Sequence, residues 1–248
     1  MSRTKCIYNW HNSGRQVFYD GATFETLKAM FPVVYYDDFL GAGKVTIPAA
    51  GSPAGGLDWV KKIVATATVA GAANAASGVV QCALTGASAE EEGILYHNDQ
   101  RNFDISKGLI FETRIKVSVL PTGIAEAVFG IFVAYVKGPD NVAYRVLFTV
   151  DGSGELFCES DDAATPLSVT SGVTLLATDW AILRIDATDV TGLKFFINGA
   201  RVAAATTFPY AATGANAIVQ PYLGVYKASG TDVCTIDIDY VKAWQNRT

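Results

Sequence analysis

From Ile110 to Val117 the chain reads Ile-Phe-Glu-Thr-Arg-Ile-Lys-Val, with apolar and polar side chains alternating. Successive strand residues point to opposite faces, so one face of this segment is buried and the other carries Glu112, Arg114 and Lys116. Similar short segments recur from Val33–Phe39 to Asp232–Trp244, about fourteen in all. Most are bounded by glycine, proline, asparagine or aspartate, and the 23 glycines fall at sandwich-like spacing. Asn198-Gly199 marks a hairpin, because both residues accept positive φ. Asp151-Gly152-Ser153-Gly154 and Pro139-Asp140-Asn141 mark further turns. Val69–Gly78 and Ala203–Ala217 read as loops. The one helical pattern is Ala22–Phe31, where Phe24, Leu27 and Phe31 recur at helical spacing and Pro32 would end the helix. Trp180 precedes the alternating strand Ile182-Leu183-Arg184-Ile185 and is expected in the core beside Ile182 or Leu183.

Fourteen strands suffice for two packed sheets of six or seven. The fold class expected is all-β, a two-sheet antiparallel jelly-roll sandwich over residues 35–248, preceded by an N-terminal extension, residues 1–34. Hydrophobic residues make up 50 % of the 248 and charged residues 17 %, which excludes global disorder. The net charge of −5 disfavours a nucleic-acid partner. The longest apolar run, Ala127 to Val136, is too short to cross a bilayer, so no membrane partner is expected. A mean hydropathy of +0.24 suggests surface covered by other subunits, a homo-oligomer. The N-terminus has no apolar leader core, and synthesis in a host cytoplasm is expected.

Candidate chemistry is sparse. The four cysteines, Cys6, Cys82, Cys158 and Cys234, form no CxxC pair and read as small apolar residues. Of the two histidines, His11 lies in the arm and His97 in a polar segment, where a surface position is expected. No phosphate loop, dinucleotide fingerprint or GxSxG is present. Asp161-Asp162, Asp140-Asn141 and Asp99 with Asp104 are possible oxygen ligands, but none makes a calcium-loop pattern. No metal and no cofactor are expected. Glu90-Glu91-Glu92 reads as a solvated loop on the outer face. Tyr96, Tyr135 and Tyr144, with Trp180 and Tyr222, are candidate sugar platforms.

Three segments carry a resemblance. Phe111-Glu112-Thr113-Arg114-Ile115-Lys116, the stretch from Asp179-Trp180 to Phe196-Ile197-Asn198-Gly199, and Ile238-Asp239-Tyr240-Val241-Lys242-Ala243-Trp244 resemble strands of the concanavalin A-like jelly-roll superfamily. Tyr36-Asp37-Asp38-Phe39 resembles its opening strand. That superfamily includes laminin-G-type domains, legume lectins and family 16 glucanases. These are fold signals and say little about chemistry. The glucanase branch places two carboxylates by an E-x-D-x-x-E strand. Here the strand after Phe111–Val117 has no carboxylate from Ala127 to Val133, and the acids of Glu155, Glu159, Asp161 and Asp162 are spaced differently. No hydrolysis of β-glucans, and no enzyme, is expected on that ground.

More narrowly, the chain is similar in style to virion proteins of tailed bacteriophages that use this sandwich in capsid decoration or fibres. Residues 1–34 hold a formal charge of +2 against −7 for the remainder. An aromatic, mildly basic arm on an acidic body suits docking on another protein. The expectation is a non-enzymatic capsid decoration (cement) protein at the virion surface, with the capsid protein as partner. Its arm contacts would be Tyr8, Trp10, Arg15, Phe18 and Tyr19. The alternative is a carbohydrate- or receptor-binding module of a virion fibre, and a glycoside hydrolase comes third.

Overall fold

A computed structural model describes residues 33–40, 47–50, 59–73, 75, 78–164 and 166–247, and the backbone alone at 9–10, 16–19 and 26–27. Short strands β1 (Asn9–Trp10), β2 (Gln16–Tyr19) and β3 (Thr26–Leu27) form an antiparallel sheet of their own. The helix expected over Ala22–Phe31 is therefore absent at Thr26–Leu27, which pair with Tyr19 and Phe18. Backbone pairing overrides the helical spacing of the apolar side chains there. The rest of that run lies outside the described residues.

The sandwich begins with β4 (Val33–Asp37), β5 (Val60–Val64), β6 (Thr68–Gly71), β7 (Val80–Ala83), β8 (Glu91–Tyr96) and β9 (Phe103–Asp104). The long β10 (Leu109–Val119) is followed by β11 (Glu126–Phe132), β12 (Tyr144–Val150), β13 (Glu155–Asp162) and β14 (Leu167–Thr174). It ends with β15 (Trp180–Ala187), β16 (Lys194–Ile197), β17 (Ala200–Val202), β18 (Ile218–Lys227) and β19 (Thr235–Gln245). One sheet runs β17-β16-β15-β10-β19-β7-β6, with β4 also on β19. The other runs β14-β13-β12-β11-β18-β8-β5, with β9 also on β18. This is the all-β sandwich the alternation requires. β6 occupies the start of the segment read as a loop.

The core lies between the sheets. Along β10, Leu109, Phe111, Ile115 and Val117 are buried, and Phe129, Phe148, Leu223 and Leu95 face them from the second sheet. Phe148 meets Phe195 edge-on across the sandwich, with ring centroids 5.1 Å apart. Such pairs add to what burial of the ring area already contributes. Asn198 and Gly199, at φ 50° and 81°, make the hairpin between β16 and β17. Cys82, Cys158 and Cys234 are buried free thiols.

Trp180 and His97 depart from the places expected for them. Trp180 is not in the core: Ala181, Leu183 and Ile185 take the inward positions of β15, so Trp180 and Ile182 face outward. Trp180 lies opposite Lys116, under the Arg114 guanidinium and the Lys116 ammonium at 4.7 and 5.2 Å. The strand begins one residue earlier in phase than its most apolar residue suggests. His97 is not on the surface either; it is 1 % exposed, edge-on to Trp59 and Tyr35 at 4.4 and 5.2 Å, with Nδ1 beside Asn102. Burial lowers its pKa to about 4, so it is neutral at pH 7.

Candidate functional site

The second sheet has an unusual outer face. Val60, Ile94, Tyr96, Val128, Phe132, Val142, Leu147 and Tyr222 form a second buried apolar cluster there, distinct from the sandwich core. Tyr135 packs on it and Val142 belongs to it, and between them lies a short 3-10 turn, Pro139–Asn141, that carries Asp140. At the end of this face, where residues 123–126 and the Asp151–Gly154 turn meet, a pocket of about 330 Å³ opens. Its walls include Glu126, Asp140, Thr149, Asp151, Phe157 and Glu159.

The sheet register explains how these side chains converge. Phe129 and Ala127 point into the core, so Glu126 and Val128 point out. Leu156 and Cys158 point in, so Phe157 and Glu159 point out. Thr149 pairs with both Val128 and Phe157, bridging the two strands. Its hydroxyl donates to Glu159 Oε1 at 2.9 Å, and the Ser168 hydroxyl donates to the same oxygen at 3.1 Å.

The two glutamates differ in environment. Among the described residues none hydrogen-bonds the Glu126 carboxylate. Burial raises its pKa to about 7, with the charges of Asp140 and Glu159 adding and Arg145 opposing. Burial also raises the Glu159 pKa, but the Thr149 and Ser168 hydroxyls and Arg145 favour its charged form. Arg145, with a side chain 9 % exposed, lies 3.1 Å from Asp161 and 3.9 Å from Glu159. It also donates to the carbonyls of Val142 at 2.7 Å and Asp140 at 3.0 Å. Burial thus pushes both carboxyls up, Glu126 to about 7, while Glu159 has two hydroxyl partners for its charged form that Glu126 lacks.

This pair escaped the linear motif because it is assembled across strands. Glu126 opens β11 just before the carboxylate-free run Ala127 to Val133, and Glu159 sits two strands away on β13. The legible signal was an acid at even spacing from Val128 on one strand and from Phe157 on another.

The residues singled out in the sequence scatter. Tyr96 and Tyr135 come together, ring centroids 5.5 Å apart, but Tyr96 is buried and the Tyr135 hydroxyl is bonded to Glu92. Tyr144 packs on the other side of the sheet, against the sandwich core near Tyr210. Tyr222 is wholly buried against Phe132 at 4.2 Å. Tyr96, Tyr135 and Tyr144 make no common platform. Of the arm residues, Trp10 lies in β1 and Phe18 and Tyr19 in β2, while Tyr8 and Arg15 fall outside the described residues.

The Glu90-Glu91-Glu92 run is not a solvated loop. Glu91 and Glu92 lie in β8 with no exposed surface. Glu92 accepts from the Tyr135 and Tyr222 hydroxyls and from the Gly138 amide, which ties residues 135–138 to the sheet. Asp237 and Asp239 face outward on the first sheet and are ion-paired to Lys116 at 3.1 Å and Arg114 at 2.6 Å. Among the described residues no three histidine, cysteine, aspartate or glutamate side chains gather in a way that would hold a metal ion.

No family model and no curated protein matches the sequence. Solved structures do resemble the fold. A Shewanella oneidensis MR-1 protein of unknown function superposes with a TM-score of 0.56 at 13 % identity, over 91 % of each chain. A mucin-directed endo-acting O-glycanase of the human gut microbiota gives 0.56 at 11 % identity, over 85 % of this chain and 98 % of the other. Alginate lyase A1-II′, of polysaccharide lyase family 7, gives 0.51 at 14 % identity, over 69 % and 82 %. The expectation of a non-enzymatic protein is corrected here: the same sandwich is built by two enzymes that cleave glycans. Absence of one linear carboxylate motif is not absence of a carboxylate pair.

Proposed function

We propose that the protein cleaves glycosidic bonds, with Glu126 as proton donor and Glu159 as the carboxylate that activates water. The observation that carries this is the pocket holding both side chains, one desolvated without a hydrogen bond, the other held by two hydroxyls. A general acid needs a pKa near the working pH, and about 7 meets that need. Glu126 would protonate the leaving glycosidic oxygen as the C–O bond breaks. Glu159 would take a proton from the water that adds to the anomeric carbon. The enzymes of similar fold support a glycan as the substrate class.

The test is release of reducing ends from a panel of polysaccharides by the purified protein, compared with Glu126→Gln and Glu159→Gln. Each substitution should lower the rate at least about 100-fold, the usual worth of acid–base assistance. Cleavage undiminished in Glu126→Gln would remove the proposal, and so would failure to release ends from every polysaccharide the protein binds.

A further inference from the structure

The charge of the pocket narrows its ligand, an inference that rests on reading it as a glycan site. Four carboxylate side chains line it, Glu126, Asp140, Asp151 and Glu159, and no lysine or arginine does. The cation beside it, Arg145, is turned under the surface. Its guanidinium serves Asp161, the two carbonyls of Asp140 and Val142, and Asp140 Oδ1 at 3.4 Å. It has no exposed face to offer a ligand's anion, since its side chain is 9 % exposed. Asp140, by contrast, stands at the rim with a side chain 72 % exposed. Half-buried Phe157 supplies an apolar wall against which a sugar ring can lie.

A uronate or sulfated sugar entering here would bring its anion toward Asp140, Asp151 and Glu159 with no exposed cation to meet it. An ammonium group would meet Asp140 at the entrance and Asp151 and Glu159 within. We infer that this pocket selects glycans carrying amino sugars, with Asp140 as the specificity-determining residue. The chemistry is opposite to that of the anionic polymer named for the lyase of similar fold.

The experiment is calorimetric titration at pH 6 and low salt with three hexasaccharides: glucosamine, neutral glucose and alginate. The glucosamine hexamer should bind about tenfold more tightly than the neutral one, a difference of about 1.4 kcal/mol, and the alginate hexamer more weakly than either. Added salt should erode the preference. Asp140→Asn should reduce the preference severalfold, read as the ratio of the glucosamine and glucose hexamer affinities. Alginate bound as tightly as glucosamine would overturn the inference, as would no binding of any hexamer. Binding with the expected preference but without bond cleavage would sustain it and count against the catalytic reading alone. Cleavage of alginate that depends on Glu126 would do the reverse.

Discussion

Lys227 Nζ lies 3.0 Å from Glu91 Oε2, and neither side chain has exposed surface. The ammonium also donates to the carbonyls of Thr85, Ala87 and Asp232, at 2.7, 2.8 and 3.0 Å. The carboxylate accepts from the hydroxyls of Thr66 and Thr85 and from the Thr85 amide. Every polar atom of the pair is thus used, and the pair ties the 85–90 loop and the Asp232 turn to β8 and β18. Lys227→Met leaves the Glu91 carboxylate buried without its cation and should cost about 3–5 kcal/mol in urea unfolding. A loss below about 1 kcal/mol would show that water reaches the site.

The same pair sets a low-pH limit. Burial alone would raise the Glu91 pKa, but the Thr66 and Thr85 hydroxyls, Lys227 and the Thr85 amide outweigh it and hold it at about 2. A folded-state pKa below the unfolded value gives stability that is full above about 4.5 and is lost as pH falls through about 2. Glu91→Gln should therefore shrink the difference in melting temperature between pH 6 and pH 3, as read by circular dichroism.

Glu126 behaves in the opposite sense. Its folded-state pKa, about 7, lies above the ordinary 4.5. Both states bind the proton below about pH 4.5. Between that pH and about 7 the unfolded state ionises first, so the group increasingly destabilises the fold. Glu126→Gln should melt with the parent at pH 4 and above it at pH 8, the behaviour expected of a group held for function. Equal melting temperatures at pH 8 would mean that Glu126 ionises freely.

Core and outer-face aromatics should separate in scale. Phe148→Ala empties a wholly buried position against Phe195 and should cost about 3–5 kcal/mol. Trp180→Ala removes a half-exposed ring that holds Arg114 and Lys116, and should cost about 1 kcal/mol. Comparable losses for the two would place Trp180 in the core after all.

The two large sheets close without any strand before Val33. Deletion of residues 1–32 should leave a folded sandwich with the parent's unfolding cooperativity. The proposed role of the arm, docking on a capsid protein or a sister subunit, then predicts loss of self-association by light scattering. An unchanged oligomer would end docking on a sister subunit.

The sequence by itself determined the class of fold. Alternation along Phe111–Val117 and Leu183–Ile185 dictates which side chains turn inward, and Asn198-Gly199 dictates a turn, because these are local properties of one strand or one pair of residues. It also showed that the strand after Phe111–Val117 carries no E-x-D-x-x-E pattern. Only the tertiary structure decided where charge meets charge. Glu126 and Glu159 share a pocket because β12 lies between their strands, a pairing that no spacing along the chain records. Glu91 and Glu92 read as solvated because three adjacent glutamates are costly to bury. Lys227 and the hydroxyls of Tyr135 and Tyr222, 43 to 136 residues away, make that burial tolerable. Burial of a charge depends on partners that only folding brings within reach.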